Sequence, residues 1–277
     1  MSIVLQGVDR RPPLAHGRSG RATIVSRSEP MRGAIELVLS QPASAAEVEP
    51  GQFFQLAVGT PNTLLRRPYS AAWTDPVSGR LGFVFNIVGA GSAWLASLQP
   101  GAGIDIMGPL GRGFDLEGDG AAICIAGGLG VAVFSGVVAA LVARGRQVTM
   151  LHGARTATQL MPGGRFRGAQ MRVATDDGSA GHRGSVVDLL DRLGPGDIFA
   201  CGPTPMLHAL VARADQLRIP RSSIQIALET PMGCGIGTCL GCPAPRRGGG
   251  YLLTCQDGPC ITSDRLDWTR LTDVFHA

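Results

Sequence analysis

Two rhythms of apolar and polar positions divide the chain. From Arg21 to about Pro109, short alternating runs stand between turn residues: Ala22 to Ser26, Ile35 to Leu39, Gln52 to Val58, Tyr69 to Trp73, Leu81 to Val88 and Ile104 to Met107. Alternation buries one face of a strand and wets the other. Six such strands in about ninety residues predict a closed antiparallel β-barrel, interrupted by one short helix at Ser92 to Leu98. From about Ala121 the pattern becomes strand then helix in turn, with strands at 121–126, 147–152, 171–175, 197–201 and 224–229. That succession predicts a parallel sheet covered by helices on both faces.

The ends differ from both. Residues 1–19 mix Arg, Pro, Gly and His without periodicity and are expected to form a loosely held arm. Thr230 to Ala277 is rich in Gly and Cys and offers nothing apolar enough for a core of its own. The expected organisation is an arm at 1–19, an antiparallel barrel at 20–115, an α/β domain at 116–229 and a C-terminal segment at 230–277.

Composition narrows the chemistry. A chain of 277 residues with 44% apolar and 17% charged residues can bury two ordinary cores, which excludes disorder, collagen and small disulfide scaffolds. It contains no lysine, so its 25 basic residues are all arginines. Schiff-base lysines and Walker-A lysines are thereby excluded, and with them pyridoxal-phosphate enzymes and P-loop NTPases. Only 5% aromatics and a diffuse net charge of +4 argue against nucleic acid as a partner, and most arginines read as solvated faces. Residues 120–143 carry no charge, but Gly127, Gly128 and Gly130 break them into a short strand and a helix from about Val131, so no membrane span is expected. Arg10-Arg11 is followed by no apolar run, no export signal is read, and the cytoplasm is the expected compartment.

Five of the seven cysteines crowd the C-terminal segment as Cys234-x4-Cys239-x2-Cys242-x12-Cys255, with Cys260 beyond. The first three match the plant-type spacing for a [2Fe–2S] cluster held by four thiolates. Gly233, Gly235, Gly237 and Gly241 surround them, and glycine lets a backbone wrap closely and aim N–H groups at sulfur. A structural zinc site usually draws on two separated cysteine pairs, and a disulfide is disfavoured without export. Both remain as alternatives. Cys260 is left out of the ligand set, and Cys124 reads as a small core residue.

Ala126-Gly127-Gly128-Leu129-Gly130 follows the first parallel strand and opens a helix, where free N–H groups favour a phosphate. A purely structural turn would use the same glycines. Cys201-Gly202-Pro203 falls at the carboxyl end of the fourth strand, where open α/β sheets bind ligands, or is simply a turn whose proline starts a helix. Arg67-Pro68-Tyr69-Ser70 offers a cation, an aromatic face and a hydroxyl, or is an ordinary edge strand.

In order along the chain, Arg67-Pro68-Tyr69-Ser70, Gly108-Pro109-Leu110-Gly111, Gly127-Gly128-Leu129-Gly130 and Cys201-Gly202-Pro203 resemble the ferredoxin-reductase superfamily. The run Glu229-Thr230-Pro231-Met232-Gly233-Cys234-Gly235-Ile236-Gly237-Thr238-Cys239-Leu240-Gly241-Cys242, with Cys255-Gln256-Asp257-Gly258, is similar to the electron-transfer subunits of type B dihydroorotate dehydrogenases. Thr175-Asp176-Asp177-Gly178-Ser179, Gly181 and Gly184 match as well, and the likeness covers about residues 20–265.

The resemblance implies FAD in the barrel, with Arg67, Pro68, Tyr69 and Ser70 on the flavin and its phosphates and Val88, Gly89, Gly91 and Ser92 on the pyrophosphate. It implies NAD at Gly127, Gly128 and Gly130 and at Cys201, Gly202 and Pro203, with Cys201 and Glu229 near the reacting rings, and a [2Fe–2S] cluster on Cys234, Cys239, Cys242 and Cys255. The implied partner is an FMN-containing catalytic dehydrogenase subunit in a heterotetramer of two plus two. Electrons from dihydroorotate would pass through the cluster and FAD to NAD+, in pyrimidine biosynthesis. Three departures stand out: Val133 where many superfamily members have proline, Cys260 where an apolar residue is expected, and no acid at His152 to Arg155 to hold a ribose. A reductase component serving a hydrogenase, transhydrogenase or oxygenase shares most of these motifs, and a non-enzymatic zinc module is the reading from another class.

Overall fold

The computed structural model describes residues 18–59 and 63–272. The first domain is one antiparallel sheet of strands β1 (Arg18–Met31), β2 (Ala34–Ser40), β3 (Phe53–Leu56), β4 (Arg67–Ser70), β5 (Trp73–Asp75), β6 (Arg80–Asn86) and β7 (Gly103–Leu110), with helices α1 (Pro42–Glu47) and α2 (Ala90–Ser97). The pairing order is β4-β3-β7-β1-β2-β6-β5. The run expected as one strand from Tyr69 to Trp73 is two, because Ala71 bonds Gln52, just before β3, while Ala72 bonds Gly82 of β6. The barrel is therefore not closed by hydrogen bonds: β4 and β5 are its two edges, adjacent in the chain. Arg18 and Ser19, expected in the arm, pair with Gly108 and Met107 of β7, and the rest of the arm lies outside the described residues.

Alternation places Ile35, Leu37, Leu39, Phe54, Leu56, Phe83 and Phe85 inside the barrel. The opposite faces of the same strands are not wet. Ala34 and Val84 pack against the second domain, and Phe53 packs under the C-terminal segment.

The second domain is a sheet in the order β11-β10-β9-β8-β12-β13-β16, built from β8 (Ala122–Gly127), β9 (Val148–Ala154), β10 (Ala169–Thr175), β11 (His182–Arg183), β12 (Asp197–Cys201), β13 (Ile224–Ala227) and β16 (Cys260–Thr262). All pairs are parallel except β13 with β16. True helices follow only two strands, α3 (Phe134–Ala143) after β8 and α4 (Thr204–Gln216) after β12. The helices expected between β9, β10 and β12 are short 3-10 turns instead, including Val186–Arg192. The helix expected from Val131 opens as a 3-10 turn over Gly128–Val133, since a turn rich in glycine lacks the side chains that favour a regular first turn.

The C-terminal segment shares its buried residues with its two neighbours. β14 (Pro243–Pro245) and β15 (Tyr251–Leu253) form a small ribbon, followed by α5 (Thr254–Asp257) and β16. Ala244, Leu252, Ile261, Leu266 and Trp268 join the core beside α4, so the segment completes the nucleotide domain while its cysteines face the barrel. Arg146, only 6% exposed, is no solvated arginine: it donates to the carbonyls of Gly120, Leu116 and Glu117 at 2.9, 3.3 and 3.2 Å and fixes the link between the domains. Among the described residues no helix is long and apolar enough to cross a membrane.

Candidate functional site

β4 lies at the barrel edge, its four residues all half-buried. The Tyr69 ring packs on Phe85 with centroids 4.9 Å apart, and burial raises its hydroxyl pKa to about 12 against the opposing pull of the Arg67 charge. Arg67 lies over the first turn of α2: a Cβ built on Gly91 would fall 2.7 Å from its Nε. A guanidinium beside the free N–H groups of a helix start is an anion site. Val88 is exposed beside it. Ser92, however, is buried and turned inward: its Oγ accepts from the N–H of Val88 at 2.9 Å and of Gly89 at 3.1 Å and donates to the Gly89 carbonyl at 3.0 Å. Its hydroxyl ties together the turn that opens α2.

The second site sits where the parallel sheet reverses its winding. β8 leads to β9 on one side and to β12 on the other, so the carboxyl ends of β8 and β12 frame a crevice of the kind that binds dinucleotides. Gly127 and Gly130 are explained by packing within this crevice: a Cβ would come 2.5 Å from Met206 Sδ at the first and 2.5 Å from the Cys201 carbonyl oxygen at the second. Gly202 likewise abuts Gly127. Gly128 stands open with φ +52, its carbonyl bonded at 3.2 Å to Nε2 of the buried His152. Pro203 caps α4. Burial raises the Cys201 thiol well above its ordinary pKa and the nearby Glu229 carboxylate adds to that, so Cys201 is a neutral thiol and no nucleophile.

Three of the four candidate ligands share one glycine-rich loop, and Cys255 reaches it from α5. The thiols fall into two neighbouring pairs, Cys234 beside Cys239 and Cys242 beside Cys255. Backbone N–H groups point at them: Ile236 and Cys239 donate to Cys234 Sγ at 3.4 Å each, Gly241 to Cys239 Sγ at 3.4 Å, and Gly237 to Cys255 Sγ at 3.1 Å. Burial alone would raise the Cys234 thiol, but the Cys239 and Ile236 N–H groups prevail and bring it to about 6. Cys242 is lowered to about 6 by the bond from the Cys255 thiol, whose own pKa rises. Gly237 must be glycine, since its φ is +78 and a Cβ would strike the Gln256 side chain at 2.2 Å. Among the described residues no three His, Cys, Asp or Glu groups close around a single point as one metal ion would require. Two thiol pairs under N–H donors instead fit a binuclear iron–sulfur cluster, whose four thiolate ligands and sulfides draw on such donors.

The loop docks on the barrel. Phe53 and Leu110 pack with Cys242, Leu253 and Cys255, so the buried cysteine pair lies on the outward face of β3, the strand that pairs with β4. Cys260 is in β16, its Sγ 3.8 Å from the Gly51 carbonyl, buried in the seam between domains and apart from the loop. Sequence reasoning passed over Gln55 and Glu36, each a polar residue in an otherwise apolar strand; both are buried.

Comparison with known proteins agrees with this geometry. The family described as an oxidoreductase FAD-binding domain matches residues 24–114, and the iron–sulfur cluster binding domain of dihydroorotate dehydrogenase B matches residues 229–267. The dihydroorotate dehydrogenase B (NAD(+)) electron transfer subunit of Geobacillus kaustophilus is 36% identical over 248 residues, 86% of this chain and 95% of that protein. The subunit of the same name from Listeria monocytogenes is 31% identical over 88% of this chain and 96% of its own length. Among solved structures, a chain of an NADH-dependent reduced ferredoxin-NADP oxidoreductase superposes with TM-score 0.82 at 28% identity, covering 90% of this chain and 91% of its own. The Amycolatopsis cytochrome P450 reductase GcoB superposes with TM-score 0.64 at 26% identity over 76% of this chain and 69% of that one. With its flavin-type barrel, its dinucleotide crevice and its docked cysteine loop, the chain belongs to the family of dihydroorotate dehydrogenase B electron transfer subunits.

Proposed function

We propose that this subunit passes electrons taken from dihydroorotate in an FMN-containing catalytic partner through a [2Fe–2S] cluster and FAD to NAD+, in a heterotetramer of two plus two. The observation that carries the reading is the seating of the cysteine loop against β3, one strand away from Arg67, Pro68, Tyr69 and Ser70. When bound, a flavin exchanges hydride with nicotinamide and single electrons with an iron–sulfur centre, and so has to stand between them.

The chain's own residues do the rest. Arg67 and the first turn of α2 hold the pyrophosphate, with Gly89 leaving room for it and Gly91 leaving room for the Arg67 guanidinium, while Tyr69 and Ser70 orient the flavin. Gly128 and the ends of β8 and β12 receive the dinucleotide, and Gly202 and Pro203 bring Cys201 and Glu229 beside the reacting rings. The buried thiols Cys242 and Cys255 lie on the barrel side, and Cys239, exposed, leaves the outer side of the loop open to the partner. No side chain here is needed as a general base. The iron–sulfur description of the C-terminal match does not favour the zinc alternative.

The test is reconstitution with the catalytic subunit. Alone, the chain should oxidise NADH with artificial acceptors and be inert towards dihydroorotate; with the partner it should reduce NAD+. Turnover of dihydroorotate by the isolated chain, or failure of the partner to confer it, would overturn the assignment.

A further inference from the structure

Two polar side chains lie on outward faces of the barrel that other parts of the chain cover. Glu36, on the face of β2 turned to the nucleotide domain, is fully answered by Arg165, Trp73 and Ser28. Gln55, on the face of β3 turned to the cysteine loop, is not. It is 0% exposed, and neither Oε1 nor Nε2 has a partner among the described residues. Its neighbour Gln52 shows what the chain does when it can, accepting from the Glu49 N–H at 2.8 Å and donating to the Gly111 carbonyl at 2.9 Å.

An orphaned buried amide costs about 1–3 kcal/mol, and proteins tolerate one chiefly where something outside the chain completes it. The direction of the amide identifies that group. Gln55 stands between Phe54 and Leu56 in β3, and the residues opposite it are Pro68 of β4 and Met107 of β7. Pro68 has no N–H to offer. Above it is the loop: a Cβ on Gly235 would come 2.8 Å from Gln55 Cγ and 2.9 Å from Nε2, and Gly235 follows the ligand Cys234 directly. An apolar residue of similar size would suit the surrounding Phe53, Leu110 and Met107 better than an amide.

We propose that Gln55 is a positioning residue for the iron–sulfur centre: its Nε2 donates a hydrogen bond to the cluster's sulfur shell at the Cys234 end and thereby tunes its reduction. This rests on the function proposed above. Donors to sulfur raise a cluster's potential because they favour the state carrying one more electron. Here that electron arrives from the catalytic partner and leaves to the flavin, and the hydrogen bond changes only how readily it is held.

The test is Gln55→Met, close in volume and free of donors, beside Gln55→Leu, each assembled with iron and FAD. The cluster is followed by electron paramagnetic resonance at fixed solution potentials, the flavin by its absorbance. In both variants the ratio of reduced to oxidised cluster at a given potential should fall roughly tenfold, the loss of one hydrogen bond to a charged group, while the flavin titration stays in place. An unmoved cluster titration, or a shift confined to the flavin, overturns the proposal. In the wild type, protein carrying 15N-glutamine should show a 15N hyperfine coupling to the reduced cluster that Gln55→Met removes; its absence overturns the proposal even if the variants fold poorly. A wild-type protein with flavin but no cluster signal at all would instead overturn the assigned function, and this inference with it.

Discussion

Arg165 of the nucleotide domain grips Glu36 of the barrel through two parallel bonds, Nη1 to Oε1 and Nη2 to Oε2, each 2.6 Å long. Burial by itself would raise the Glu36 pKa, but the Arg165 and Trp73 hydrogen bonds outweigh it and hold the carboxylate below its ordinary value. The residues are separated by 129 positions and belong to the two domains whose relative placement decides how a nicotinamide meets a flavin.

Replacing Arg165 by Ala leaves a buried carboxylate unpaired and should destabilise the protein by about 3 kcal/mol. Arg165→Lys should recover only part of this, because a lysine cannot make the forked contact. Thermal unfolding measures both effects, and hydride transfer from NADH to flavin is expected to slow in Arg165→Ala. Unaltered unfolding in Arg165→Ala would show that the clasp contributes nothing.

Gly91 lies under the Arg67 guanidinium. Gly91→Ala pushes aside the end of a flexible side chain and so should leave stability nearly unchanged, yet displace the cation from the helix start. Loss of one charge-assisted contact to a phosphate predicts FAD held roughly tenfold more weakly. Fluorescence titration of the flavin-free protein is the measurement, and equal affinities would remove Arg67 from the phosphate site.

Ser70 is the hydroxyl of the candidate flavin strand, opposite Phe53. Ser70→Ala should slow NADH-to-flavin transfer roughly tenfold, the worth of about one hydrogen bond, and slow cluster reduction by the partner much less. Stopped-flow traces of the flavin absorbance would reveal it. Equal losses in both half-reactions would argue that Ser70 supports the fold only.

Cys239 is the exposed one among the four candidate ligands and packs no core. Cys239→Ser should abolish the cluster's visible bands while most flavin is retained, because the barrel cradle does not depend on the loop's outer face. Iron and flavin analysis of the same preparation decides it; iron at wild-type content would exclude Cys239 from the ligand set.

His152 gives a pH signature. Burial lowers its pKa from 6.5 to about 4, with the Gly128 carbonyl bond pulling the other way. In the unfolded chain the ring takes up a proton near pH 6.5, so below that the unfolded state binds more protons than the native one. Stability contributed by this group is full above about pH 6.5 and is lost as pH falls towards 4, by about 3 kcal/mol in all. Glu36 adds its own loss only below its ordinary range near 4.5. Urea midpoints between about pH 5 and 7 should therefore slope in the wild type and flatten in His152→Leu.

Much of this was legible beforehand because the signals are local. Glycines flanking Cys234, Cys239 and Cys242 marked a loop that wraps sulfur, and the loop does so. The breaks in pattern were harder. Tyr69 to Trp73 read as one strand, since apolar alternation cannot tell that Ala71 and Ala72 bond to different neighbours. Arg165 and Arg146 read as solvated, since nothing near them in sequence announces Glu36 or the carbonyls of 116–120. Gln55 sat in a run of apolar residues as an unremarked exception.

The sequence alone determined the two domain types, the order of the candidate cofactor segments and the four clustered thiols, because periodicity and spacing are properties of neighbours along a chain. Only the tertiary structure decided that the C-terminal segment completes the nucleotide sheet and seats its cysteines on β3, that Glu36 finds Arg165, and that Gln55 finds no partner at all. Those outcomes depend on which outward barrel faces are covered and by what, and burial between distant segments leaves no trace in local pattern until the chain has folded.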